Sequence, residues 1–234
     1  MSRINLTSME NLATKFRTMI GIGANEPIHI KTLLLKLGII TKYRPLSDKI
    51  YGLSMKTADN RFKFILVNSN SRRGRQHFTI AHELYHLFYD PNPKPHICNG
   101  AERDKSEMEA NAFASVLLMP QEGILKSISD EELIANRLKI STVLKLEQLF
   151  SVSHEAMVNR LKILKLISDK QRQELLDISI IEAAKAYGFD LSIYQKGNEN
   201  LLLGNYGENL RELYDKQIIS EGHYRELYKL IYNG

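Results

Sequence analysis

The run His82-Glu83-Leu84-Tyr85-His86 brings two imidazoles and a carboxylate within five residues. On a helix, residues four apart lie one turn apart on the same face, so His82 and His86 both present a ring nitrogen to one cation, with Glu83 beside them. This is the donor pattern of H-E-x-x-H zinc hydrolases. There, two neutral imidazoles hold Zn²⁺ and the adjacent carboxylate takes a proton from the attacking water. The run lies inside an apolar helical stretch, where two histidines and a glutamate without partners would cost several kcal/mol. A metal removes that cost; a pair of hydrogen-bonded histidines is the plainer alternative.

A catalytic zinc site takes three protein ligands and keeps one position open. Glu102, Glu107 and Glu109 lie near the start of a second helical stretch, and His96 and Cys98 lie in the connector before it. Glu107 and Asn111 share a helix face, whereas Glu109 points roughly 160° away from Glu107 by helix geometry. Ala110, Ala112, Ala114 and Ser115 are small enough for this helix to approach the histidine helix closely. Asn111 then reaches a ligand imidazole and orients it. Glu107 is therefore the expected third ligand. His96 or Cys98 in its place remains the alternative, against the plainer reading of both as loop residues.

The elements that must position these groups are legible from periodicity. Apolar residues at Met9, Leu12, Ala13, Phe16 and Ile20 predict a helix over 8–20, stopped by Gly21 and Gly23; a second short helix over 30–37 ends at Gly38. Residues 51–56 and 62–68 are rich in β-branched and aromatic types around a turn-like linker, which predicts a small antiparallel sheet. A long helix follows over 73–89. Prolines at 91, 93 and 95 exclude its continuation, and a second helix is expected over 102–118, closed by Pro120. Beyond it the chain reads as helices with short breaks. Ser129 and Glu132 have capping-box spacing, Ser141 and Ser153 are expected caps, and one helix is expected over 171–187. Residues 197–207 read as a loop, and 210–231 as two short amphipathic helices.

Composition narrows the class. The 234 residues are 43% hydrophobic and 25% charged, with 13 Gly and 6 Pro, which excludes disordered, collagenous and disulfide-scaffold proteins. The single cysteine and the lack of a signal-like N-terminus point to a reducing cytoplasm. The longest strongly apolar runs, such as 33–35 and 64–67, are far below the roughly 18 residues of a membrane span. A formal charge of +5 and a pI near 9.1 leave only a modest basic excess.

The stretch from Arg75 to His86, followed by Glu107-Met108-Glu109-Ala110-Asn111-Ala112-Phe113-Ala114-Ser115-Val116-Leu117-Leu118-Met119-Pro120, resembles the ImmA/IrrE family of zinc metallopeptidases. The resemblance is strongest over 51–166. It implies an α+β fold, mainly helical, with a gluzincin-like core. His82, His86 and Glu107 would be zinc ligands, and Glu83 the general base. Tyr85 departs from the glycine common before the second histidine, and its bulk is expected to narrow the cleft. The resemblance further implies a regulatory peptidase that cuts a helix-turn-helix repressor in phage, mobile-element or stress control.

On these grounds the chain is divided into a metallopeptidase domain over 1–120, a helical helix-turn-helix-like subdomain over 121–168 and a helical C-terminal region over 169–234. Helices over 143–150 and 154–167 around Ser151-Val152-Ser153 have the outline of a helix-turn-helix. Met157, Leu161 and Leu164 are expected to face inward and Glu155, Asn159 and Lys162 outward. This outward face is mixed in sign, which favours packing or partner docking over DNA reading. Arg72, Arg73 and Arg75 read as a solvated charge run, or as a grip on substrate carboxylates at the edge of the cleft. His77, Tyr85, Tyr89 and the arginines are candidates for stabilising an oxyanion. Two rival functions stand beside the peptidase. One is a metal-containing binding module that contacts DNA or a regulator without cutting; the other is a phage-control partner acting by sequestration. Glu83 favours the enzyme, since a structural metal site needs no base.

Overall fold

The computed structural model describes residues 5–90, 96–98 and 105–232, with only the backbone described at 96–98 and 232. Helix α1 (Leu6–Met19) starts where Asn5 accepts a hydrogen bond from the Ser8 N–H, and it buries Met9, Ala13 and Phe16 at helical spacing. Helix α2 (Ile30–Lys36) ends in a Schellman turn: Ile39 N–H donates to Leu34 O and Gly38 N–H to Leu35 O, with Gly38 at φ 62°. A side chain would strain that left-handed position.

Strands β1 (Ile40–Arg44), β2 (Gly52–Lys56), β3 (Lys63–Asn68), β4 (His96–Cys98) and β5 (Leu202–Leu203) form one sheet in the order β4-β2-β3-β1-β5. The expected hairpin is present as the antiparallel β2–β3 pair, with Ser54 opposite Ile65. The sheet is nevertheless mixed, because β1 runs parallel to β3, so the expectation of a purely antiparallel sheet is corrected. Strand β1 escapes notice in the sequence because it is buried on both faces and carries Thr41 and Lys42 among its apolar residues. The Lys42 ammonium is held by the carbonyls of Asn200 and Leu230, both remote in sequence. Likewise β5 pairs with β1 from within the stretch expected to be loop alone.

Helix α3 (Arg73–Phe88) lies across the sheet, and α4 (Lys105–Leu118) lies beside it. Gly52 permits the close approach of α3, since a Cβ there would stand 2.6 Å from Thr79 Cγ2 and 2.8 Å from Leu66 O. Phe16, on α1, meets Phe88 and Phe113 edge-on at 5.4 and 5.8 Å, so α1, α3 and α4 share one aromatic seam. The apolar core is continuous from Met9 to Leu175. A smaller cluster joins Leu144, Ile180, Ala184, Ile193 and Tyr194.

The remaining helices are α5 (Gln121–Leu125), α6 (Asp130–Ala135), α7 (Ile140–Phe150), α8 (His154–Ile163), α9 (Asp169–Leu176), α10 (Ile180–Ala186), α11 (Tyr206–Asp215) and α12 (Glu221–Tyr232). Ser129 caps α6 and Ser153 caps α8 as expected. Ser141 does not cap α7. That helix starts after Lys139, whose N–H donates to Glu132 Oε1 at 2.6 Å, so the acidic residue of the preceding capping box serves two helices. The single helix expected over 171–187 is two, because Leu175 packs in the main core while Ile180 packs in the smaller one, and the chain turns between them. None of the described helices is long and apolar enough to cross a membrane.

Candidate metal centre

Helix α3 is buried over most of its length, so the polar groups on its inner face depend on one another. His82, Glu83, His86 and Glu107 are 1%, 0%, 4% and 4% exposed. One ligand atom from each of His82, His86 and Glu107 lies within 4.8 Å of the others. His86 Nε2 is 2.9 Å from Glu107 Oε1, His82 Nε2 is 3.3 Å from Glu107 Oε2, and the two Nε2 atoms are 3.2 Å apart.

The outer nitrogens explain this convergence. His82 Nδ1 lies 3.0 Å from Asn111 Oδ1, and His86 Nδ1 lies 2.9 Å from Asp90 Oδ2. Both partners accept, so each Nδ1 carries the proton and each Nε2 lone pair is directed inward. Two lone pairs and a carboxylate brought this close repel one another unless a cation or a proton lies between them. Burial alone would lower the His86 pKa, yet the hydrogen bonds with Glu107 and Asp90 outweigh it and raise the pKa above its usual value. The site attracts positive charge, and its donor set of two imidazole nitrogens and one carboxylate oxygen suits zinc.

Glu83 lies one residue from His82, and its Oε2 accepts a 2.6 Å hydrogen bond from Ser54 Oγ. Strand β2 thus fixes the carboxylate that α3 carries. Ser106 Oγ, in the first turn of α4, donates to Asp90 Oδ2 at 2.9 Å, so α4 supplies Glu107, Asn111 and a support for Asp90. Asp90 and Ser54 went unnoticed in the sequence. Asp90 does carry a signal there, the same four-residue step that relates His82 to His86, whereas Ser54 has none.

The other expected residues lie elsewhere. Glu109 accepts from the Tyr85 hydroxyl at 2.8 Å and is not among the three converging donors. The Tyr85 ring is buried against Phe113 and Tyr89, with centroids at 5.8 and 6.3 Å, so its bulk fills the α3–α4 interface. His77 Nδ1 lies 2.8 Å from Ser151 O, and burial lowers the His77 pKa. Arg75 stacks over Tyr51 at 4.4 Å and pairs with Glu155 at 3.6 Å, while Arg72 is exposed. Met157 and Leu161 face inward as expected; Leu164 is only half-buried. The side chains of His96 and Cys98, and all of Glu102, lie outside the described residues. A cavity of about 490 Å³ opens beside Asn111, between Phe78 and Met108 on one side and Ile163 on the other.

The chain is 39% identical over 67 residues to "Uncharacterized immunity region protein 2" of Bacillus phage phi105, an alignment covering 26% of this chain and 41% of that relative's length. The model of a peptidase family, described as the IrrE N-terminal-like domain, matches residues 36–162, which include His82, Glu83, His86 and Glu107. Since that match covers more than half of the chain, the protein belongs to the ImmA/IrrE family of metallopeptidases.

Proposed function

We propose that this chain is a zinc-dependent endopeptidase that makes regulatory cuts in a helix-turn-helix repressor in the cytoplasm. His82, His86 and Glu107 would hold the metal. The observation that carries the reading is the buried convergence of those three donors within 4.8 Å, with Glu83 fixed beside them by Ser54. Zinc, when bound, supplies Lewis acidity that makes a water acidic and polarises the scissile carbonyl. Glu83 takes the water's proton as the oxygen adds to the carbonyl carbon. It then hands that proton to the departing amide nitrogen as the C–N bond breaks. Asn111 and Asp90 hold the two imidazoles in the tautomer that keeps both Nε2 lone pairs free to bind a cation.

The repressor as substrate draws support from the family and from the phage immunity-region relative. In this reading residues 1–120 are the peptidase unit. The helix-turn-helix-like pair α7–α8 and the helices after it capture the substrate. Direct DNA contact is weak or absent in this reading: Glu155 is exposed on α8 and Lys162 is paired with Asp169 at 2.8 Å, so the outward face of α8 is mixed in sign.

The decisive experiment is co-expression with a candidate helix-turn-helix repressor, sought first among the products of neighbouring genes. Wild type should carry one zinc and cut that protein. Glu83→Gln should keep the zinc and lose cutting by about 10²-fold or more. Equal cutting by the variant would remove Glu83 from the mechanism, and an intact partner bound tightly by wild type would favour sequestration.

A further inference from the structure

The cavity of about 490 Å³ beside Asn111 lies behind the metal centre. None of His82, Glu83, His86 and Glu107 lines it, and Asn111 meets His82 at Nδ1, the ring nitrogen turned away from Glu107. An occupant there touches neither the converging donors nor Glu83. The volume falls within the roughly 300–1,000 Å³ of small-molecule pockets, and Phe78, Met108, Ala112 and Ile163 supply apolar walls.

The polar groups of the lining suit one kind of partner. Asn111 Oδ1 accepts from His82 Nδ1, and Asn159 Oδ1 accepts from Arg172 Nε, a nitrogen that can only donate. Each amide is thereby fixed with its oxygen in use, and neither NH₂ group has a partner among the described residues. Ser115, only 9% exposed, adds a hydroxyl that also has no partner among the described residues. Arg75 and Glu155 are the charged residues of the lining, and at 3.6 Å they offset each other. The cavity thus presents hydrogen-bond donors among apolar walls, with no net formal charge. An ion entering it would lose hydration without gaining a counter-charge, whereas a neutral acceptor gains hydrogen bonds.

We infer that this cavity binds a small uncharged molecule with an apolar body and a carbonyl acceptor, of the acyl amide or ester class, and that Asn111 couples its binding to the metal centre. A carbonyl that accepts from Asn111 Nδ2 polarises the amide, so Oδ1 draws more strongly on the His82 Nδ1–H and Nε2 becomes a better donor to a metal. Ligand and zinc therefore favour each other, by the same factor in both directions. The coupling rests on His82 as a metal ligand in the reading above; it does not need peptide cleavage.

The test uses the full-length zinc-loaded protein and three six-carbon probes: hexanamide, hexanoate and hexylammonium. In ligand-observed NMR titrations hexanamide should bind about ten-fold tighter than either charged probe. Asn159→Asp keeps an oxygen for Arg172 but replaces the NH₂ group with an acceptor, so it should shift the preference to hexylammonium. Competition against a chromogenic chelator reads the coupling. Saturating hexanamide should tighten zinc binding by about three- to five-fold in wild type. Asn111→Asp keeps an oxygen for His82 and lacks the NH₂ group, so it should retain zinc and lose that response. Hexanamide binding to a protein that takes up no zinc would sink the metal reading and keep the ligand site. Equal binding of the three probes, a preference unchanged in Asn159→Asp, or zinc affinity indifferent to hexanamide would overturn the inference. No binding by any probe, with self-association that Ile163→Glu abolishes, would assign this face to a second copy of the chain.

Discussion

Asp90 Oδ2 stands 2.9 Å from His86 Nδ1, one helical turn beyond it, and the same oxygen accepts from Ser106 Oγ. Asp90 thereby locks the imidazole so that Nε2 faces His82 and Glu107. Asp90→Ala should weaken zinc binding by about 10–100-fold, the usual cost of losing a group that orients a ligand. Asp90→Asn keeps an accepting oxygen and should retain most of the affinity. Competition against a chromogenic chelator measures both, and equal affinity in all three proteins would show that Asp90 does not orient the ligand.

Glu107 and Glu109, two residues apart, should behave as opposites. Glu107→Ala removes the carboxylate that touches both imidazoles and should abolish stoichiometric zinc. Glu109→Ala leaves the Tyr85 hydroxyl without its acceptor, at a cost of about 1 kcal/mol of stability, and should leave zinc content unchanged. Metal analysis together with urea unfolding separates the two. Full zinc in Glu107→Ala would move the third-ligand role elsewhere.

Ser54 holds the Glu83 carboxylate from across the sheet. Ser54→Ala should keep the metal and the fold yet lower kcat by about ten-fold, with little change in KM, because the base is no longer held in one orientation. A variant in which KM rises and kcat holds would place Ser54 in substrate binding.

These residues differ in how far the sequence reveals them, and the difference is physical. His82, Glu83 and His86 are local: one turn of helix relates them, and their apolar surroundings mark the helix as buried. The contrast between Glu107 and Glu109 is also local, since helical rotation alone sets them on different sides. Asp90 obeys the same arithmetic but abuts the prolines at 91, 93 and 95, which made it read as part of the connector. Ser54 and Glu83 are 29 residues apart, and only the folded sheet brings them together. Strand β1 is hidden for a related reason. Its Lys42 looks like a surface residue until the carbonyls of Asn200 and Leu230 arrive to hold it. The break between α9 and α10 depends on two separate cores, which no local period encodes.

The buried His154–Glu147 pair gives the fold a pH dependence. Burial opposes the charge on His154, but the hydrogen bond and the attraction of Glu147 prevail and raise its pKa above the usual value. The folded protein therefore holds this proton more tightly than the unfolded chain does. The pair's contribution is fully present below the unfolded histidine pKa of about 6.5 and is lost as pH rises through the higher folded value. Urea unfolding at a series of pH values from 5.5 upward should show stability falling over that window for zinc-loaded wild type. His154→Asn should flatten that part of the curve. The same substitution takes the cationic partner from Glu147, which keeps only the Tyr194 hydroxyl, and should cost about 3–5 kcal/mol at low pH. A wild-type curve parallel to that of the variant would show that the pair does not titrate with folding.

Gly52 links the sheet to the metal helix through the absence of a side chain. A methyl group there would stand 2.6 Å from Thr79 Cγ2, 2.8 Å from the Leu66 carbonyl oxygen and 3.8 Å from Glu83 Oε1. The carbonyl belongs to β3 and is held in the β2–β3 ladder, so the strand cannot yield easily, and the relief must come from α3. Gly52→Ala should therefore push α3 off the sheet and cost about 1–3 kcal/mol, as overpacking of a tight interior generally does. The displacement also lengthens the Ser54–Glu83 hydrogen bond, so kcat should fall further than the loss of folded protein explains. Zinc should be retained, because His82, His86 and Glu107 sit on α3 and α4, which shift together. Unfolding curves, metal content and kcat measured on one preparation check all three. A Gly52→Ala protein as stable and as active as wild type would show that the contact between β2 and α3 is looser than 2.6 Å implies.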